Sequence, residues 1–313
     1  MQKLNQHFLQ TKPWADFQAG EGNEIFHEKG ENFEFYAIKK QTSLGNYLFL
    51  PYGPALADKK ALKSALSALK KLAKEQNSIF IRLEPTIFFK NDEMKKLGLK
   101  KTNHVEPEHT WVLDLTQTEE EIFGAMETSK VRFFRNCSKK GLSIRTSHDP
   151  ADFEILWKLL TEVAANDGFQ TFDKKYLKNQ MNFPFTTLYI VDLEENGKKN
   201  PIAASMMYDD NETRYYAHSG ADYEHRKFRA GIILLMQAIL DAKAAGRKNF
   251  DFWGVTTSEN PKHPWYGFTQ FKKSFGGHLV TFSGTYDLPV NKGKYRLYSL
   301  LRPINKLKRK IRK

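Results

Sequence analysis

Hydrophobic positions recur along the chain with two periods, and each change of period marks a new element. From Phe33 to Leu50 two aromatic-rich runs, FEFYAIKK and NYLFL, flank QTSLG, which predicts two strands closed by a turn. Over Asp58 to Asn77 the pattern becomes helical, with Leu62, Leu66, Leu69 and Leu72 on one face. SIFIRLEP then predicts a strand, a short helix follows near Met94, and TWVLDL at 110–115 predicts another strand. Thr118 and Glu121 form a capping box that should open the next helix.

The second half repeats this order. Helices are expected near 150–165 and 173–182, then the strands TTLYIVDL, PIAASMMYDD and ETRYYAHSG, a helix over 228–245 and a strand at NFDFWGV. The pattern predicts an α/β (α+β) chain of two successive mixed units, 1–147 and 148–290, with the turn-like SHDP at 147–150 as the seam. The remainder, 291–313, predicts a basic amphipathic helix with Leu297, Leu300, Leu301, Ile304, Leu307 and Ile311 on one side, kinked or restarted at Pro303. Such a helix suits packing on the first unit or lying on a membrane surface.

Composition narrows the setting. In 313 residues, 40% hydrophobic content fills real cores and makes disorder an unsuitable description. Cys137 is the lone cysteine, so no disulfide framework or thiolate metal cluster is expected and a reducing compartment fits. MQKLNQHFLQTKPW lacks the apolar core of a signal peptide, and no apolar run approaches the ~18 residues of a span. The expected location is the cytoplasm, with peripheral contact to the inner membrane face. Net charge is +13, yet ten of the 49 Lys and Arg residues follow Asp287, the last acidic residue. The excess is therefore local, suited to a phosphate-bearing partner or an anionic lipid surface, or simply to solvation.

Three segments carry candidate chemistry. In RYYAHSGADYEHRKFRAGIILLMQAI an aromatic strand passes through a basic turn, Arg226 to Gly231, into an apolar helix. This resembles the pyrophosphate-binding turn of the GNAT acetyltransferases, except that Arg229 replaces the central glycine and is expected to crowd an acyl-CoA pyrophosphate. In TSKVRFFRNCSKKG a helix would put Arg132, Arg135 and Lys139 on one face beside Lys130 and Lys140, with Val131, Phe134 and Cys137 inward. A solvated charged face is the plain alternative. In DFWGVTTSENPKHPWYGFTQFKKSFGGH a strand end delivers Asp251 and Trp253, and an aromatic loop leads to Phe271, Lys272 and Lys273. There is no Gly-x-Ser-x-Gly elbow, zinc motif, P-loop or dinucleotide fingerprint. His104 and His109 flank Glu106 and Glu108, but without a second cluster no metal is expected; His218 and His278 suit structural or peptide-contacting roles.

Together these segments resemble the Fem family of peptidoglycan peptide aminoacyltransferases. Gln10 and Trp14 match its Gln-x-x-x-Trp, LPYGP at 50–54 its Pro-Arg-Gly-Pro turn, and RLEP at 82–85 and EPEHTWVLDL at 106–115 its central stretches. SKVRFFRNCSKKG, the strand-plus-helix core, DFWGV and GFTQFKKSFGG follow in the family's order. The resemblance implies two tandem GNAT-like domains without the coiled-coil arm of some members, no cofactor beyond aminoacyl-tRNA as co-substrate, and a monomer. It implies a peptidoglycan precursor, lipid II or its nucleotide-linked form, bound beside and between the domains, with the tRNA end approaching the second.

On this resemblance Lys272 is the expected oxyanion-stabilising cation and Phe271 its neighbour beside the tRNA terminal adenosine. Substrate contacts are expected from Lys39, Lys40, Tyr52, Arg214, Tyr216, His218, Arg226, Arg229, Asp251, Trp253 and Tyr266. Tyr52 departs from the family arginine and removes a phosphate ligand. A tRNA phosphate patch is expected from Lys130, Arg132, Arg135 and Lys139. Two other classes stay open: an acyl-CoA-dependent N-acyltransferase, and a non-catalytic RNA- or membrane-binding protein.

Overall fold

The structure is a computed structural model that describes residues 3–311, with side chains through residue 302. After a helix α1 (Lys12–Gly20) the chain forms β1 (Ile25–Lys29), β2 (Phe33–Thr42), β3 (Gly45–Leu50), β4 (Ala55–Leu56), α2 (Ala61–Glu75), β5 (Phe80–Leu83), α3 (Asn91–Lys96) and β6 (Lys100–Lys101). It continues through β7 (His109–Asp114), α4 (Glu119–Ala125), α5 (Thr128–Arg135), β8 (Leu142–Ser147), α6 (Phe153–Asp167) and α7 (Lys174–Asn179). Then come β9 (Thr186–Glu195), β10 (Lys198–Asp209), β11 (Thr213–Ala221), α8 (Ala230–Ala244), β12 (Asn249–Gly254), α9 (Tyr266–Lys273), β13 (His278–Thr281), β14 (Tyr286–Pro289) and α10 (Lys292–Ile311).

Two units result, but their boundary is not the one the turn at 147–150 predicts. Residues 109–280 form one unit; residues 1–108 with 281–313 form the other. The reason is strand pairing that local pattern does not encode. β7 pairs antiparallel with β12, Leu113 opposite Phe250, and so joins the later sheet, ordered β13-β7-β12-β11-β10-β9-β8. β14 returns to the earlier sheet, ordered β1-β2-β3-β5-β14-β6, where it lies between β5 and β6.

Each sheet contains a parallel pair bridged by a helix: β3 and β5 through α2, β11 and β12 through α8. In the first unit Leu62, Leu66 and Leu69 of α2 pack on Phe35, Leu48, Ile81 and Leu83 as the leucine spacing predicts. Burying each such side chain is worth about 1.5–3 kcal/mol. α8 is apolar almost all round, with Ile233, Leu235, Met236 and Ile239 buried, because it lies among β9, β10 and α5. The capping box forms, the Thr118 hydroxyl accepting from Glu121 N and the Glu121 carboxylate accepting from Thr118 N.

Two sequence signatures close on each other in the first unit. Gln10 is fully buried; its Nε2 donates to Pro51 O at 2.9 Å and Tyr36 O at 3.2 Å, and its Oε1 accepts from Tyr36 N at 3.1 Å. A Cβ at Gly53 would lie 2.4 Å from Gln10 Cδ, so this turn needs glycine for close approach. Trp14 packs between Phe8 and Phe17.

α10 is helical through position 303 without the break expected at Pro303. Its start packs through tyrosines instead of leucines: Tyr295 and Tyr298 lie against Phe80, and Tyr295 Oη donates to Asp287 at 3.1 Å. Asp287 also takes two 2.8 Å bonds from Arg82 in a buried pair tying β14 to β5. Leu297 and Leu300 of the expected apolar stripe are exposed; Ile304, Leu307 and Ile311 fall outside the described side chains.

Candidate active site

The parallel register of β11 and β12 ends at Tyr215 and Asp251, and the chemistry of the second unit gathers there. Trp253 takes a left-handed backbone, φ 64°, costly for a non-glycine residue and therefore held by its surroundings. Its N–H donates to Asp251 Oδ1 at 2.7 Å. The same oxygen accepts a short bond from the Thr110 hydroxyl on β7. Burial raises the Asp251 carboxyl to about 6, against these donors and the charge of Lys272.

Lys272 lies in the last turn of α9 and is only 1% exposed. Its Nζ donates to Gly254 O at 2.7 Å and stands 3.8 Å over the ring of Phe268, one turn earlier, with Tyr216 at 5.9 Å. Burial lowers the ammonium to about 7, and Asp251 acts in the opposite direction. The amine is thus held dry and covered by an aromatic face. Sequence spacing could have shown Phe268, four residues before Lys272 on one helix; nothing local signals Thr110.

A cavity of about 400 Å³ opens where β11 turns into α8, lined by Lys130, Tyr223, His225, Arg226, Arg229 and Phe271 among others. Arg229 adopts the left-handed conformation, φ 45°, at the cap of α8, the conformation that explains a glycine in the related turn. Its side chain is exposed and lines the cavity. Lys130 is 8% exposed, bonds Glu127 at 3.1 Å and faces the rings of Phe271 and Phe275. His225 pairs with Asp222 at 2.6 Å on the same rim. Phe271 connects the two places: it lines this cavity and precedes Lys272.

Other expected residues lie elsewhere or are already engaged. Arg214 is buried with two bonds to Asp209 at 2.7 and 2.6 Å, one to Tyr189 Oη at 2.5 Å and one to Ala238 O at 3.2 Å. It is a core ion pair and not an open phosphate ligand. Lys139 is not on the helical face of Arg132 and Arg135, because α5 ends at Arg135 and Lys139 belongs to a separate 3-10 turn. All three are exposed, Arg135 over the ring of Phe123, whereas Lys130 turns inward. Val131 is buried, and Phe134 and Cys137 pack on the core as expected.

Tyr216 is buried and its phenol is raised by that burial. His218 neighbours Phe172 and Tyr208, and burial lowers its imidazole to about 4, so it is neutral at pH 7. Tyr266 starts α9 and is half-buried. In the first unit Lys39 bonds Glu24 at 2.9 Å and Lys40 bonds Asn23 at 2.9 Å. Tyr52 is buried on His7 and Phe282, its hydroxyl donating to Pro107 O at 2.9 Å. Glu84 and Glu106 form an acidic pair there: Glu84 Oε1 accepts from Val105 N and Glu106 N at 3.2 Å, and burial raises the Glu106 carboxyl to about 8.

Two mixed units, each with a helix-bridged parallel pair, define a GNAT-like tandem fold. A tandem GNAT protein from the clavulanic acid biosynthesis pathway overlays with a TM-score of 0.51 at 10% identity, over 89% of this chain and 94% of that one. FemX overlays far better, with a TM-score of 0.84 at 17% identity over 94% of both chains. The sequence pattern of the FemAB family matches residues 1–104 and 189–303. The chain belongs to the FemAB family. It is 22% identical to the lipid II:glycine glycyltransferase of Staphylococcus haemolyticus over 82% of this chain and 79% of that protein. The enzyme of the same name from Staphylococcus aureus (strain USA300) is 19% identical over 82% and 79%. Among the described residues no helix is long and apolar enough to cross a membrane.

Proposed function

We propose that this protein transfers an amino acid from aminoacyl-tRNA to the stem peptide of a peptidoglycan precursor, lipid II or its nucleotide-linked form, and so builds an interpeptide bridge. The observation that carries the reading is the dry, aromatic-capped Lys272, bonded to Gly254 O at the end of β12. The acceptor amine attacks the ester carbon and the new C–N bond gives a tetrahedral intermediate; its collapse breaks the C–O bond to the ribose, whose oxygen leaves with the proton that the amine gives up. Charge builds on the carbonyl oxygen in the tetrahedral intermediate, where a poorly solvated ammonium counts most. Phe268 must turn aside for Lys272 to reach that oxygen. Phe271 and the cavity with Lys130, Arg226 and Arg229 suit an adenosine and its phosphate at the tRNA end. No cofactor enters the scheme. The protein works as a monomer in the cytoplasm against the inner membrane face.

Lys272→Met tests the assignment. With charged tRNA and lipid II or its soluble nucleotide precursor, mass spectrometry of the product should show transfer reduced about 10²–10³-fold, the range for one oxyanion donor. Precursor binding and circular dichroism should be retained, and Lys273→Met, at an exposed position, should stay near wild type. Near-normal single-turnover transfer by Lys272→Met removes Lys272 from the chemistry. One observation favours a second reading, acyl-CoA-dependent N-acylation: the cavity at the start of α8, which Arg229 lines. Calorimetric titration with acetyl-CoA separates the two.

A further inference from the structure

α10 carries two rows of side chains, and the fold packs the row that hydropathy alone would leave outside. Tyr295, Tyr298 and Arg302, at spacings of three and four, face the first unit: both tyrosines lie against Phe80, and Arg302 donates to the Thr102 hydroxyl. Leu297 and Leu300 stand on the opposite side and are 47% and 71% exposed. By helical register Ile304, Leu307 and Ile311 extend that row along a helix that runs to residue 311. Lys292 and Arg296 border the row on one side and Lys294 on the other, and all three are exposed. We propose that α10 is the membrane-docking surface of this protein, its leucine row entering the interface of an anionic bilayer and its basic flanks lying at the headgroups. This deepens the reading above, which puts the protein against the inner membrane face without naming the surface that holds it there.

Charge selects the occupant. From Lys292 to Lys313 the sequence holds ten Lys and Arg and no acidic residue. A second copy seated row to row would bring two such segments together, and like charges oppose that contact. Nucleic acid would answer the charge and leave the leucines in water. An anionic bilayer answers both, because Lys and Arg keep their charges at the headgroups while an apolar row sinks to the acyl boundary. Eight of the 20 residues of α10 are Lys or Arg, so the helix lies in the plane of the surface and does not cross it. Tyr295, bonded to the buried Asp287, fixes its first turn on the first unit, so the row is presented ready-formed.

The full chain is sedimented with vesicles of phosphatidylcholine alone and with vesicles holding about one-third phosphatidylglycerol; neither contains a peptidoglycan precursor. Binding to the anionic vesicles should exceed binding to the neutral ones at least about tenfold and should fall as salt rises. Leu297→Gln with Leu300→Gln keeps every charge and should weaken binding to the anionic vesicles about tenfold. Lys294→Gln with Arg296→Gln keeps the leucines and should weaken it by about fivefold for each charge removed. All four positions are exposed, and unchanged circular dichroism verifies the fold of both variants. Equal binding to the two vesicles, or binding to neither, overturns the proposal. So does wild-type binding by the leucine variant, which would leave a contact of charge alone, and so does a leucine-dependent dimer in analytical ultracentrifugation without vesicle binding, which would give the row to a second copy. Lys272→Met should bind vesicles as the wild type does: its transfer assay tests the chemistry alone, and sedimentation tests α10 alone.

Discussion

Arg214 offers the sharpest contrast between a residue that looks like a phosphate ligand and one that holds a core together. Replacing it with Met keeps the apolar stem and removes the guanidinium, which strips Asp209 of its counter-ion and leaves Tyr189 Oη with Asp241. Breaking a buried ion pair from one side costs about 3–5 kcal/mol. Asp209 retains 15% side-chain exposure, which places the expected loss near the lower limit, about 3 kcal/mol. For a unit of this size that is a fall in melting temperature of roughly 6–12 °C. Urea unfolding followed by tyrosine and tryptophan fluorescence measures the loss, and precursor titration at a temperature where the variant is folded measures binding. The double variant Arg214→Met with Asp209→Leu should recover part of the stability, since no charge is then stranded. An unchanged urea midpoint combined with a tenfold weaker Kd for the precursor would refute the reasoning and return Arg214 to the ligand role.

Two further outcomes follow from the geometry. Gln10→Ala removes the donor to Pro51 O and Tyr36 O and the acceptor for Tyr36 N, all buried; it should destabilise the protein by about 2–4 kcal/mol in urea unfolding, with normal transfer in the fraction that remains folded. Arg226→Ala and Arg229→Ala should each raise the half-saturating concentration of charged tRNA more than they lower turnover. Each should also flatten the salt dependence of that concentration by about one unit of log-log slope; an unaltered slope makes these arginines solvated surface.

Much of the fold was legible in the sequence because its signals are local. The leucine period of α2, the capping box at Thr118 and the apolar run of α8 are each decided within one or two helical turns, and each appears where expected. Partition into units was not legible, since β7 and β14 each have one face and one length but several possible neighbours; hydrogen-bond partners more than 130 residues away select among them. The candidate site divides in the same way. Chemical type pointed to Phe271, Lys272, Asp251 and Arg229, which the fold places on two adjoining features of the second unit. Type alone misread Arg214, whose neighbours come from β9, the end of β10 and α8, and it missed Thr110, which matters only because β7 runs beside β12.

The place of β14 has a consequence for the order in which the protein takes shape on the ribosome. The N-terminal sheet lacks one inner strand until residues 286–289 have been made, because β14 lies between β5 and β6 and brings the carboxylate for Arg82 from 205 positions downstream. The segment 109–280 needs no such late arrival, so the half synthesised second is the half able to finish first. Until then the nascent N-terminal half exposes an unpaired strand edge and a buried-type arginine without its counter-ion, the period in which chaperone contact and misassembly are concentrated.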